Sequence, residues 1–276
     1  MYRDIWTKCH HSVAAINLID ENGIEIGYFS GFKISRYLIT DAGFQELNRA
    51  QVAVIKFLSE DGFTVKTSKK FPHSELLNRI VNQHDKTADQ FAVIDIDFEE
   101  FDQIRPLYIE FKQQPKIGMG LALLAYQFDQ PNLTIKSGVL SSVLHFPEER
   151  KYLQFDGVIK KGNAGGPLID ITTGNVVGII GYKLSKAMKR YNQLKSIINS
   201  NIDLLKKAEG EFNISEVDPV QVLIVNQNQI KQLAGEIYKS AYMSSSYALS
   251  SWNIYNFFER NRIDISPQKD ALFNAR

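Results

Sequence analysis

The spacing of hydrophobic and polar residues changes once along the chain. Up to about residue 183, apolar residues occur in short runs such as SVAAINLI, EIGYFSGFKI, QVAVIKFL, LALLAYQF and VVGIIGY. The runs are separated by turn sequences that include DENG, SEDG and TTGN. Many short strands at even spacing are typical of an antiparallel barrel or sandwich. The sequence therefore predicts an all-β domain over residues 1–183.

Beyond residue 183 the apolar residues fall three or four apart, which is the spacing of helices. Asp218 followed by Pro219 predicts a helix start, with a capping carboxylate and proline at the first helical position. The run VQVLIV just behind it is also compatible with a strand. A last candidate helix carries the aromatic residues of SSWNIYNFFERNRI. We expect residues 184–276 to form a helical C-terminal extension.

Charge, hydropathy and cysteine content indicate which partners and which cellular compartment the chain fits. The 276 residues include 32 Lys and Arg against 31 Asp and Glu, a formal charge of +1 that favours neither a nucleic-acid nor a membrane partner. The N-terminal sequence lacks the apolar segment of a secretory signal, and no stretch has the length of a membrane span. The single cysteine, Cys9, excludes an intrachain disulfide and fits a reducing compartment. The expectation is a cytoplasmic protein.

One motif carries chemistry: GNAGGPLID, which spans Gly162 to Asp170. It resembles the nucleophile turn of trypsin-like serine proteases, with alanine in place of serine. Four more blocks follow the order of that family, and the best likeness is to its HtrA (DegP-like) branch: SGFKISRYLITDAGF, FAVIDID, IGMGLALLAYQF and TIKSGVLSSV. The resemblance implies a mainly β fold, with two six-stranded antiparallel barrels and the active site between them.

The resemblance also places the catalytic triad, and all three positions are substituted. Ala164 stands at the position of the nucleophilic serine, Gly43 at that of the histidine and Gln90 at that of the aspartate. Nucleophile, general base and orienting carboxylate are then all missing. The neighbouring Asp89 is an alternative, since a one-residue bulge would turn its carboxylate towards the site.

Two functions follow from these substitutions. The first is a pseudoprotease that works by binding a peptide or protein, as a scaffold, sensor or decoy. The second is an HtrA-like serine endopeptidase, seen here in an inactive form in which Ala164 replaces a natural serine. A serine codon at position 164 of the gene would favour the second function, although Gly43 would still need an explanation.

Part of the protease machinery is expected to survive. The resemblance assigns an oxyanion hole to the turn Gly162, Asn163 and Ala164, whose donors are backbone amides and do not need the serine side chain. It assigns a peptide groove to Ile180, Gly181 and Tyr182, which would pair with an extended ligand, and to Val158 at the base of the primary pocket. Neither a cofactor nor a metal is predicted.

Other candidate groups are weaker. His84 with Asp85 is explained by an exposed loop, and Cys9 with His10 and His11 by a semi-buried cysteine beside surface histidines. The C-terminal segment lacks the carboxylate-binding loop of the PDZ domains that follow HtrA proteases. We expect its helices to support self-association or partner docking, with an aromatic stripe of Trp252, Tyr255, Phe257 and Phe258 in the interface.

Overall fold

The computed structural model describes residues 1–81, 90–111, 114–128, 130–145, 151–181, 186–210, 218–242 and 246–265. Most strands form where the runs of alternating or continuous apolar residues predict them. The strands are β1 (Val13–Ile19), β2 (Glu25–Ile34), β3 (Tyr37–Asp41), β4 (Val52–Leu58), β5 (Val65–Pro72), β6 (Phe91–Asp95), β7 (Gly120–Gln127), β8 (Gln130–His145), β9 (Lys151–Asp156), β10 (Pro167–Asp170), β11 (Val176–Ile180) and β12 (Ser246–Ser250). The α-helices are α1 (Tyr2–Cys9), α2 (His73–Asn78), α3 (Lys186–Lys207), α4 (Pro219–Tyr242) and α5 (Ser251–Arg260).

The first six strands form one antiparallel sheet in the order β5-β4-β1-β2-β3-β6. It curls around a core of fully buried side chains that includes Ile16, Leu38, Ile55 and Phe101. Helix α2 follows β5, and the segment behind it returns to β6, where Ile80 pairs with Ile94. The two edges of the sheet are therefore connected through α2.

The other six strands form a closed antiparallel barrel in the order β10-β11-β12-β9-β8-β7. Its interior is filled by side chains such as Leu123, Leu153, Phe155 and Leu168, all fully buried. Apolar residues alternate into this interior because successive strand side chains point to opposite faces. The predicted mainly β, trypsin-like architecture of two six-stranded halves with C-terminal helices is confirmed.

The sequence prediction of one helical extension over residues 184–276 needs a correction. Strand β12 closes the second barrel, with Ile180 of β11 opposite Ala248 on one side and Leu153 of β9 opposite Ala248 on the other. Helix α5 follows directly and packs on the barrels, where the ring of Phe257 contacts Phe91. The chain thus has two compact units, one of residues 1–182 with 245–276 and one of residues 183–244.

The unit of residues 183–244 contains α3 and α4, which form an antiparallel hairpin. The Tyr191 hydroxyl near the start of α3 lies 3.4 Å from a Cβ built on Gly235 near the end of α4. The predicted start of α4 is confirmed, because Oδ1 of Asp218 accepts a hydrogen bond from the Val220 amide at 2.7 Å. The run VQVLIV is helical and not a strand. Among the helices of the described ranges, none is both long enough and apolar enough to cross a membrane.

Candidate functional site

The turn between β9 and β10 has a backbone course that only glycine adopts without strain at two positions. Gly162 has φ +96° and Gly165 has φ +87°, both in the left-handed region that a Cβ disfavours. The amide of Gly166 donates to the carbonyl of Asn163 at 3.0 Å, which closes the turn. The glycines of the GNAGGP motif therefore specify this local structure.

Asn163 holds the turn from inside, because its side chain is fully buried and bonded on both ends. Oδ1 accepts from Nζ of Lys136 at 2.6 Å and from the Lys160 amide at 2.8 Å. Nδ2 donates to the carbonyl of Tyr126 at 2.5 Å. A buried amide with all these partners fixes the turn in one conformation.

The first sheet supports the turn from the other side through Ser30 of β2. The Ser30 amide donates to the Ala164 carbonyl at 2.8 Å, and the Ser30 hydroxyl donates to the Gly162 carbonyl at 2.8 Å. Thr40 of β3 in turn donates to the Ser30 carbonyl at 2.6 Å. A Cβ built on Gly165 would lie 2.0 Å from that same carbonyl oxygen. The turn is packed directly against β2 and β3.

The three positions that the resemblance assigns to the triad lie close together beside this turn. Gly43 follows the end of β3, and Gln90 precedes β6, the strand that pairs with β3. The Ala42 amide donates to the Gln90 carbonyl at 3.2 Å. A Cβ on Gly165, next to Ala164, would lie 2.8 Å from the Asp41 amide. The backbone therefore brings Gly43 and Gln90 together and sets the residue after Ala164 against the end of β3.

The side chain of Gln90 is engaged with the second barrel. Its Nε2 donates to the Tyr152 hydroxyl of β9 at 2.5 Å. An amide group supplies this hydrogen bond but carries no negative charge that would orient and stabilise a protonated histidine.

Asp41 is a buried carboxylate at the site that the sequence analysis did not identify. It is 2 % exposed, and its Oδ1 accepts from the Gly43 amide at 2.7 Å. A Cβ built on Gly43 would approach this oxygen to 2.6 Å. Asp41 therefore occupies space that any larger residue at position 43 would need. The Asp-Ala-Gly sequence, a capping residue at the start of a short 3-10 helix, is the local signal for it.

Backbone donors are available at the predicted oxyanion hole. Among the hydrogen bonds of the described residues, none is donated by the amides of Gly162 and Ala164. The Asn163 amide differs, since it donates to the Lys160 carbonyl at 3.0 Å. The amides of Gly162 and Ala164 thus have no partner among the described residues, and both residues are buried in the turn.

The predicted peptide groove needs revision at two residues. Ile180 is fully buried, its amide donates to the Gly166 carbonyl and its carbonyl accepts from the Gly165 amide, so Ile180 has no backbone group left for a ligand. Val158 is 45 % exposed, more than the base of an enclosed pocket would be. Gly181 is half-buried beyond the end of β11, and Tyr182 lies outside the described residues.

The remaining sequence candidates lie elsewhere or outside the described residues. Cys9 ends α1, and burial raises the pKa of its thiol to about 12, so it is not a reactive thiolate. Burial, with the nearby His10, lowers the pKa of His11 to about 4. His84, Asp85 and Asp89 are not among the described residues.

The paired six-stranded halves and the glycine-rich turn between them define the class of trypsin-fold proteins. The family model of the trypsin-like peptidase domain matches residues 39–179, which is more than half of the chain. This chain therefore belongs to the trypsin-like peptidase domain family, and the resemblance seen in its sequence is confirmed.

The chain is also similar to several solved structures. The chain is similar to Deg5 (20 % identity, TM-score 0.50, 66 % of this chain and 85 % of that one). It is also similar to the Rv3671c protease of M. tuberculosis in its active form (18 %, TM-score 0.48, 65 % and 73 %). A third likeness is to the serine endoprotease of Yersinia pestis (18 %, TM-score 0.48, 65 % and 57 %). At 20 % identity, the likeness to Deg5 bears on the fold alone. No curated protein matches the chain.

Proposed function

We propose that this chain is a trypsin-fold protein that has lost peptidase chemistry and binds a peptide or protein at its retained nucleophile turn. The observation that carries the proposal is the contrast within one small site. Every side chain that would react is replaced, at Gly43, Gln90 and Ala164, while the buried contacts that shape the turn around Asn163 are kept.

Loss of the chemistry follows from the groups present. Ala164 has no oxygen to attack a carbonyl, and no imidazole stands at position 43 to accept a proton. The Asp41 carboxylate next to Gly43 does not replace the histidine, because Oδ1 is held by the Gly43 amide at 2.7 Å.

Retention of the turn supports a binding role. Glycine at positions 162 and 165 restricts the choice of residue, and the buried network of Asn163 and Ser30 costs desolvation unless all of its bonds are made. These features hold the amides of Gly162 and Ala164 in place without any catalytic side chain. Two fixed amide donors suit a peptide carbonyl or a carboxylate oxygen.

The proposal is tested by NMR titration of the ¹⁵N-labelled full chain with acetylated tetrapeptides whose last residue is aliphatic, aromatic, acidic or basic. We expect at least one set to shift the amide resonances of Gly162 and Ala164 at peptide concentrations up to about 1 mM. Ala164→Ser is the matched control and should bind equally, because the donors are backbone groups.

A second variant, Gly165→Ala, distorts the turn and should abolish these shifts. Resonances of residues far from the turn should keep their positions, which shows that the variant is folded. The proposal is wrong if no peptide set shifts either amide, or if shifts are confined to another surface. Hydrolysis of any of the peptides by the unmodified chain would favour the endopeptidase function instead.

A further inference from the structure

The hairpin of α3 and α4 uses only part of its apolar surface to hold itself together. The less exposed residues of the hairpin include Tyr191, Ile198, Ile202 and Leu205 on α3 and Val220, Ile224, Lys231 and Gly235 on α4. The Tyr191 hydroxyl lies 3.4 Å from a Cβ built on Gly235, so these two sides of the helices face each other. Ile198, Ile202 and Val220 are buried in this seam.

A second set of apolar residues in the hairpin is exposed. Seven aliphatic side chains, which we call the aliphatic face, have between 42 % and 64 % of their surface accessible: Leu194, Ile197, Leu204, Leu223, Ile230, Leu233 and Ile237. Single exposed apolar residues are ordinary on a protein surface, but a set of this size indicates an interaction site.

The aliphatic face has the spacing of a helix-packing seam. On α4 the positions 223, 226, 230, 233 and 237 alternate steps of three and four, and on α3 the positions 194, 197, 201 and 204 do the same. This is the a/d pattern of heptads, which places residues against another helix. Each series has one polar member, Asn201 on α3 and Asn226 on α4, and a single asparagine in such a seam fixes register between helices.

Both series lie on the same face of the hairpin. At about 100° per residue, the α3 series is rotated by about 90° from the facing seam and the α4 series by about 130° in the same rotational sense. Because the helices are antiparallel, equal rotational sense puts the two series on one side. The hairpin therefore presents two parallel apolar rows side by side.

We infer that the aliphatic face binds the same face of a second copy of this chain, so that two hairpins form a four-helix bundle. A second copy supplies two helices with the same heptad rows, which is what closes an open hairpin into a bundle. The contact is isologous, with each face packing on its equivalent about a twofold axis.

The size and composition of the face favour this occupant. The 22 residues of α3 give a length of about 33 Å, and two helices side by side are about 20 Å wide. Each copy then contributes roughly 650 Å², and the pair about 1,300 Å², within the range of stable interfaces. The face contains only leucine, isoleucine and the two asparagines, which is the composition of bundle cores. It lacks the aromatic residues common on helices that lie in a membrane surface.

The test is the mass of the full chain by analytical ultracentrifugation at about 50 µM. We expect twice the chain mass of 31.4 kDa for the unmodified protein. The double variant Ile197→Glu, Ile230→Glu should sediment at 31.4 kDa with unchanged far-UV helicity. Val225→Glu is the matched control: Val225 is 53 % exposed on the same helix but lies about 120° from the face, and it should leave the dimer intact.

A gain-of-function variant guards against misfolding of the double variant. Asn226→Leu completes the apolar row and should tighten the dimer at least about tenfold, because a polar residue in a seam lowers its stability. An unmodified chain that is monomeric at this concentration overturns the inference. So does a dimer that survives the double variant, or a monomer that binds vesicles of anionic lipid through the same residues.

Discussion

Replacement of Gly165 by alanine tests whether the nucleophile turn is packed against the first sheet as described. The change adds one methyl group at φ +87°, where its carbon would lie 2.0 Å from the Ser30 carbonyl oxygen and 2.6 Å from Thr40 Oγ1. The nearest atom belongs to the backbone of β2 and cannot rotate away. The turn must therefore move away from β2, and the hydrogen bond from the Ser30 amide to the Ala164 carbonyl is weakened.

The expected loss of stability is the sum of three parts. The left-handed conformation costs a non-glycine residue about 1–2 kcal/mol, overpacking adds about 1–3 kcal/mol, and the weakened hydrogen bond adds about 1 kcal/mol. Gly23→Ala is the matched control, because Gly23 has φ +78° but no atom within 4 Å of a built Cβ. It should cost only the conformational part.

Urea unfolding of the two variants measures the difference, which should be about 2–4 kcal/mol. In thermal unfolding this corresponds to a further decrease in Tm of roughly 5–15 °C for a domain of this size. Equal stabilities of Gly165→Ala and Gly23→Ala would refute the packing of the turn on β2 and β3. They would also show that close packing does not require glycine at position 165.

Further predictions concern other parts of the first unit. The pKa of His11 is about 4 in the folded chain, below its ordinary value of 6.5, so the unfolded chain takes up a proton first as the pH falls. The free energy of unfolding should therefore decrease by about 1–2 kcal/mol between pH 6.5 and 4, after allowance for partial exposure of the ring. His11→Gln should remove this pH dependence in urea unfolding. Phe257→Ala should lower the free energy of unfolding by about 3–5 kcal/mol, because the residue is only 2 % exposed. Phe63→Ala, at a residue that is 62 % exposed, should lower it by less than about 0.5 kcal/mol. Urea unfolding of both variants measures the two changes. Deletion of residues 246–276 should leave an insoluble or unfolded chain, because it removes β12 from the barrel. Replacement of residues 186–242 by a short linker should leave the barrel folded, since Ile180 and Ala248 are paired on neighbouring strands. Soluble yield and circular dichroism compare the two variants.

The fold was predictable because the family's blocks occur in one order and each carries its own turn signals. The conformation of the GNAGGP turn was also predictable, since Gly162 and Gly165 both have positive φ, which favours glycine. Strand β12 escaped prediction because its short run SYALS lies between two helical segments and pairs with strands far away in the sequence. No local pattern identifies such a strand. The spacing of the aromatic residues in α5 predicted a helix but not where it packs. In the structure, Phe257 packs against Phe91 of the first sheet.

The sequence could locate the candidate site along the chain but not all of the side chains that line it. Alignment with the family's motifs assigns Gly43, Gln90 and Ala164 to the triad positions, and the backbone brings these residues close together. Asp41 was missed because its place at the site depends on its burial and on the hydrogen bond that it accepts from the Gly43 amide. Ile180 was misassigned because its pairing with the turn through Gly165 and Gly166 is a tertiary contact.

The proposed loss of peptidase chemistry is tested by restoring the hydroxyl alone. The Ala164→Ser variant and the unmodified chain are incubated with a fluorophosphonate, and intact mass is measured. We expect no adduct on either protein, because a serine without a base at position 43 stays protonated and weakly nucleophilic. Stoichiometric labelling of Ala164→Ser would show that a general base is present at the site, and the proposed loss of peptidase chemistry would then be wrong.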